Sequence, residues 1–151
     1  MKILIVDDNA KTRCEGIIKE CKKRTIEIEI DKASKQEMFI IYSDKEEMID
    51  GIILDMNLPI YPECDIKRKE GEDVLRRLSI SKINIPVLIF SNEQTEEKYE
   101  QVFDQIRDWH EEHNKFFAFL EKLQKDKEEK ERLKKEKLEE LEKLKEKEQL
   151  K

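Results

Sequence analysis

Four oxygen-bearing side chains stand directly behind apolar runs. Asp7 and Asp8 follow "KILIV" at 2–6, Asp55 follows "GIIL" at 51–54, and Ser91 follows "IPVLIF" at 85–90. Each has an ordinary use. Asp7 and Asp8 can end a strand and cap the next helix, Asp55 can close an Asx-type turn before Pro59, and Ser91 can cap the segment behind it, a role open also to Asn92 or Thr95. A second use appears if they lie together. Three neighbouring carboxylates repel one another, and a hard divalent cation with oxygen ligands relieves the repulsion; Mg²⁺ suits, because it keeps several waters and needs only one or two carboxylates. Beside such a cation Asp55 is placed to attack a phosphoryl group and form an aspartyl-phosphate, and the Ser91 hydroxyl can donate to a phosphoryl oxygen.

Whether they do lie together depends on the elements that carry them. "KILIV" is a continuous β-branched and Leu run, which suits a strand buried on both faces of a parallel sheet. From Asn9 to about Lys23 the pattern becomes helical, with Cys14, Ile17, Ile18 and Cys21 at spacings of three and four. "TIEIEI" at 25–30 alternates apolar and acidic residues, as a half-exposed strand near a sheet edge does. Ser34 with Glu37 reads as a capping box opening a helix that carries Met38, Ile41 and Tyr42. "EGEDVLRRLSI" is a helix between the strands "GIILD" and "IPVLIF". Alternating strands and helices imply an α/β, doubly wound parallel sheet, whose functional edge is formed by the carboxyl ends of its strands. Asp7, Asp8, Asp55 and Ser91 all fall on that edge.

The motifs "LIVDDN" at 4–9, "LDMNLP" at 54–59 and "VLIFSN" at 87–92, in this order and each at a strand end, resemble those of response-regulator receiver domains over roughly the first 95 residues. The resemblance implies a flavodoxin-like receiver fold and two-component signalling. It implies phosphorylation of Asp55 by a histidine kinase, a phosphotransfer protein or a small phosphodonor. It further implies Mg²⁺ held by Asp7 or Asp8, Asp55 and the backbone carbonyl of Asn57, with Ser91 as the switch hydroxyl.

Three departures from that pattern follow. "IYPECDIKRKE" separates Pro59 from Gly71, an insertion of about seven or eight residues against the usual loop lengths. Asn92 stands where the family usually has a small residue. Family members also have a fifth strand ending in a lysine that pairs with the phosphoryl group. Lys115, 24 residues after Ser91, falls at a suitable distance, but "DWHEEHN" before it is a poor buried strand. Tyr99, Val102, Phe103, Ile106, Trp109, His113, Phe116, Phe117, Leu120 and Leu123 instead recur at helical spacing with no Gly or Pro. The expectation is therefore a sheet shortened to four strands in residues 1–94, and one long helix over 95–151, roughly 85 Å long at about 1.5 Å per residue. Its apolar seam of Phe103, Ile106, Trp109, Phe116, Phe117 and Leu120 calls for a second copy, a homodimer through the helix. The Glu/Lys-rich end reads as a weak coiled coil or a solvated helix held by i,i+4 pairs. His110 and His113 read as helix-face residues.

Charge and cysteines narrow the function. Residues 121–151 carry +1 and the remainder −7, so no basic patch is available to neutralise phosphates; no nucleic acid and no DNA-binding output domain are expected. Cys14, Cys21 and Cys64 form no CxxC pair and read as reduced thiols of a cytoplasmic protein, with neither signal peptide nor membrane span. Two rivals stand beside the phosphoacceptor reading. One is a degenerate receiver serving as a phosphorylation-independent dimeric scaffold or adaptor. The other, an aspartate-nucleophile phosphohydrolase, lacks the usual second acid two residues after the nucleophile, where Asn57 stands.

Overall fold

The computed structural model describes residues 1–31, 49–59, 67–68 and 70–149. The capping box at Ser34 and the helix with Met38, Ile41 and Tyr42 lie outside these residues, as does Cys64. The elements are β1 (Lys2–Val6), α1 (Ala10–Arg13), α2 (Glu15–Lys23), β2 (Glu27–Asp31), β3 (Gly51–Leu54), β4 (Leu58–Pro59), β5 (Lys67–Arg68), α3 (Glu70–Ile80), β6 (Val87–Phe90), β7 (Val102–Ile106) and α4 (Trp109–Gln149).

Five strands form one parallel sheet in the order β2-β1-β3-β6-β7. The three central strands are buried on both faces, which is why their sequences are uninterrupted apolar runs. Their side chains alternate between two cores. Leu4, Val6, Ile52, Leu54, Val87 and Ile89 pack on one face with Val74, Leu75 and Leu78 of α3. Ile3, Ile5, Ile53, Leu88 and Phe90 pack on the other with α2 and α4. β2 is an edge strand with no fully buried residue, as its apolar/acidic alternation predicts. β4 and β5 form a small antiparallel ladder, Leu58 opposite Arg68 and Pro59 opposite Lys67, which draws the two ends of the insertion together.

The expectation of four strands is corrected by β7. Val102–Ile106 pairs in parallel with β6, from Val87 opposite Val102 to Phe90 opposite Ile106, with an irregularity after Val87. The helix expected from Thr95 accordingly begins at Trp109. Its start is marked by capping. Asp108 accepts a hydrogen bond from the His110 N–H at 3.1 Å, while Glu112 accepts from the Arg107 and Asp108 N–H groups. The Lys115 ammonium, followed by those two N–H groups, draws the Glu112 carboxyl down to about 2.

Most of the expected dimer seam is corrected as well. Ile106, Phe116 and Leu120 are buried within the single chain, and Trp109 and Phe117 pack against the same cluster; Phe103 lies against Phe119 with ring centroids 5.7 Å apart. The physical reason is that α4 lies across the sheet. A methyl group at Gly51 would meet Leu123 Cδ1 at 2.6 Å, so the absence of a side chain there lets the helix approach the start of β3. Beyond Leu123 no residue of α4 is buried, and the helix surface from there carries ion pairs such as Arg132–Glu129 and Arg132–Glu136. Exposed hydrophobics there are Leu133, Leu138, Leu141 and Leu144, whose spacings of five, three and three sustain no heptad. Sedimentation at micromolar concentration is expected to give the mass of one chain; a two-chain mass would show that the distal helix assembles on its own. No helix among the described residues is long and apolar enough to cross a membrane.

Candidate functional site

Adjacent positions of β1, β3 and β6 bring the carboxylates and the hydroxyl together at the carboxyl edge. Val6 pairs with Leu54 and Leu54 with Ile89, and the Asp55 N–H donates to the Val6 carbonyl at 2.9 Å. Asp7 and Asp55 are buried, at 1% and 3% exposure, and Asp8 is half-buried. One carboxylate oxygen from each of the three lies within 4.8 Å of the others.

The two oxygens of each buried aspartate do different work. Asp55 Oδ1 accepts from the Asn57 N–H at 3.0 Å and Asp7 Oδ1 from the Asn9 N–H at 2.8 Å, which are the turn bonds. The Oδ2 atoms both face Arg13, whose Nη1 stands 2.6 Å from Asp55 and 3.0 Å from Asp7. Arg13 Nη2 donates to the Phe90 carbonyl at 3.1 Å, and its guanidinium carbon sits 5.5 Å from the centre of the Phe90 ring. Burial opposes the charge on Arg13, but Asp55 and Asp7 outweigh it and hold the guanidinium above its ordinary value. Burial pushes Asp7 up, against the Asn9 N–H and Arg13. Burial, followed by Asp7, pushes the Cys14 thiol up to about 12, leaving it protonated at neutral pH with Sγ 3.7 Å from Asp7 Oδ2.

A cleft of about 280 Å³ opens at this point, lined by Arg13, Asp55, Asn57, Ser91, Asn92 and Glu93. Ser91 is buried, and its Oγ accepts from the Glu93 N–H at 3.2 Å, so it also holds the turn after β6. Lys115 lies elsewhere. Its ammonium donates to the Gln105 carbonyl at 3.1 Å and to Glu112 at 2.6 Å. Where the resemblance implies a fifth strand ending in a lysine, β7 ends in Ile106 followed by Arg107, which is exposed, and Asp108. The Gln105 amide instead donates to the Ser91 and Glu93 carbonyls at 2.7 and 2.8 Å.

A hard cation suits this donor set. Three carboxylates offer only oxygen, and each oxygen already holding one N–H keeps further lone-pair capacity. Arg13 has no place among the residues that the sequence motifs mark. Its signal is its position in α1, six residues beyond Asp7, within reach of the strand end that Asp7 terminates.

Comparison with solved structures places this architecture. A response regulator of Thermotoga maritima, TrrA, crystallised with Mg²⁺ and beryllofluoride, superposes with a TM-score of 0.56 at 17% identity, over 81% of this chain and 97% of that one. The signal receiver domain of a modulated diguanylate cyclase from Desulfovibrio desulfuricans gives 0.54 at 15% identity, over 83% and 97%. A CheY-like receiver domain protein from Methanospirillum hungatei gives 0.52 at 16%, over 83% and 97%. No protein-family model matches the sequence, and no curated protein matches it. The chain has the fold of response-regulator receiver domains, followed by a long C-terminal helix.

Proposed function

We propose that the chain is a phosphoacceptor of two-component signalling, with Asp55 as the accepting residue. The observation that supports this most is the set of three carboxylates, within 4.8 Å of one another, of which Asp55 lines a cleft shared with Ser91. An Asp55 oxygen attacks the phosphorus of a phosphohistidine on a histidine kinase or phosphotransfer protein. A phosphorus–oxygen bond forms as the phosphorus–nitrogen bond breaks, and the leaving imidazole takes a proton from solvent. Asp7, Asp8, Asp55 and the Asn57 carbonyl are the groups that would hold Mg²⁺, which supplies neutralisation of phosphoryl charge. The Ser91 Oγ accepts from the Glu93 N–H, and its own O–H remains to donate to a phosphoryl oxygen. Residues 1–94 supply the accepting site and the C-terminal helix the output surface.

The protein then acts as an acceptor rather than a turnover enzyme, since Asn57 offers no acid to a departing product. A phosphorylation-independent scaffold is the second reading, favoured by one observation: the fifth strand sends no ammonium to Asp55. Calorimetric titration with beryllofluoride and Mg²⁺ separates the two. The expected result is saturable binding to the wild type and at least about a hundredfold loss in Asp55→Asn. Equal behaviour of both proteins, or no binding by either, favours the scaffold.

A further inference from the structure

We infer that Arg13 is the cation that receives the phosphoryl group, in the place that the family assigns to a lysine of the fifth strand. The inference rests on Asp55 being the phosphoacceptor. Arg13 contributes the only basic side chain among the described residues lining the cleft. Among the described residues, the candidates near the end of β7 are committed or turned away: Lys115 to Glu112 and the Gln105 carbonyl, Gln105 as a neutral amide to two backbone carbonyls, and Arg107 to solvent.

Position and chemistry agree. Arg13 Nη1 already lies 2.6 Å from Asp55 Oδ2, so a phosphoryl group on Asp55 arrives within its reach. A guanidinium presents donors in a rigid fork that matches phosphoryl oxygens in pairs, whereas an ammonium offers a point charge. The second nitrogen is tied to the carbonyl of Phe90, and the guanidinium rests beside the Phe90 ring. Phe90 immediately precedes Ser91, so any shift of Arg13 toward phosphoryl oxygens is felt at the end of β6 and in α1. This route of coupling needs no lysine from β7.

Arg13 also occupies the Oδ2 atoms of Asp7 and Asp55, which would face Mg²⁺. That gives the test opposite signs in one protein. In Arg13→Gln, Mg²⁺ alone is expected to bind severalfold more tightly, because a competing cation is gone, while beryllofluoride with Mg²⁺ binds about tenfold to a hundredfold more weakly. Arg13→Lys is expected to lie between the wild type and Arg13→Gln in beryllofluoride affinity, and it carries the comparison should Arg13→Gln fail to fold. Undiminished beryllofluoride affinity in Arg13→Gln would reduce Arg13 to a counter-ion and overturn the inference. Parallel loss of Mg²⁺ and beryllofluoride would overturn it too, by making Arg13 a builder of the site. Failure of the wild type to bind beryllofluoride removes the phosphoacceptor reading itself, an outcome visible before any Arg13 variant is made.

Discussion

Replacing Phe116 with alanine is expected to lower stability by about 3–5 kcal/mol, the range for removing a fully buried aromatic side chain. Phe116 is completely buried, packs at a tilt against Trp109 with ring centroids 5.5 Å apart, and belongs to the core that includes Ile3, Ile5, Ile53 and Leu88. Because that core lies within one chain, the loss should be the same at every protein concentration. Trp109 is the sole tryptophan, so urea unfolding followed by its fluorescence reads this core without interference from the solvated half of α4. A midpoint that rises with protein concentration would mean that the aromatic seam is shared between copies.

Gly71→Ala is the second large effect. An alanine in a helix is ordinarily about 1 kcal/mol more favourable than glycine, so propensity alone predicts stabilisation. Here the added methyl would stand 2.5 Å from the Asp55 carbonyl oxygen and 2.5 Å from Met56 Cα. Both are backbone atoms, and no side-chain rotation relieves the contact. The expected net loss is about 2–3 kcal/mol, as for other overpacked sites; under the proposed function Mg²⁺ binding would weaken too, because the strand end bearing Asp55 is displaced. A variant more stable than wild type would show that the first turn of α3 does not bear on Asp55. The Gly71 N–H, bonded to the Met56 carbonyl at 3.1 Å, marks the same docking point.

The central strands are legible in the sequence because burial on both faces leaves no polar position, and a run such as "KILIV" suits little besides a strand covered on both sides. The candidate site is legible for a related reason: each carboxylate closes such a run, and parallel strands carry their ends to one edge. β7 is concealed by its position. As an edge strand with only Ile106 buried, it shows little alternation. Val102, Phe103 and Ile106 fall by coincidence on the helical spacing that Trp109 and Phe116 continue. The better signal is Asp108 with the glutamates behind it, an N-cap that places the helix start after the strand rather than before it. The seam is plainly apolar, but a period says nothing about which surface will cover it; with β7 counted, the sheet face supplies a partner within the chain. Arg13 is hidden because its partners Asp55 and Phe90 are distant in sequence and meet it only through the fold.

The C-terminal helix starts at the carboxyl edge of the sheet, behind β7, and its last buried residue, Leu123, lies over Gly51 at the opposite, amino edge. The stretch from Gln124 to Gln149, about 39 Å long and without a buried residue, therefore runs on from the edge away from the cleft. A partner seated at the cleft would therefore not meet a partner seated on this arm. A tilt of the packed segment about Leu123 would be magnified along this arm. Each degree of tilt in the packed segment moves its far end by roughly 0.7 Å, so a rearrangement too small to expose any new surface at the carboxyl edge becomes a displacement of several ångströms at the other end.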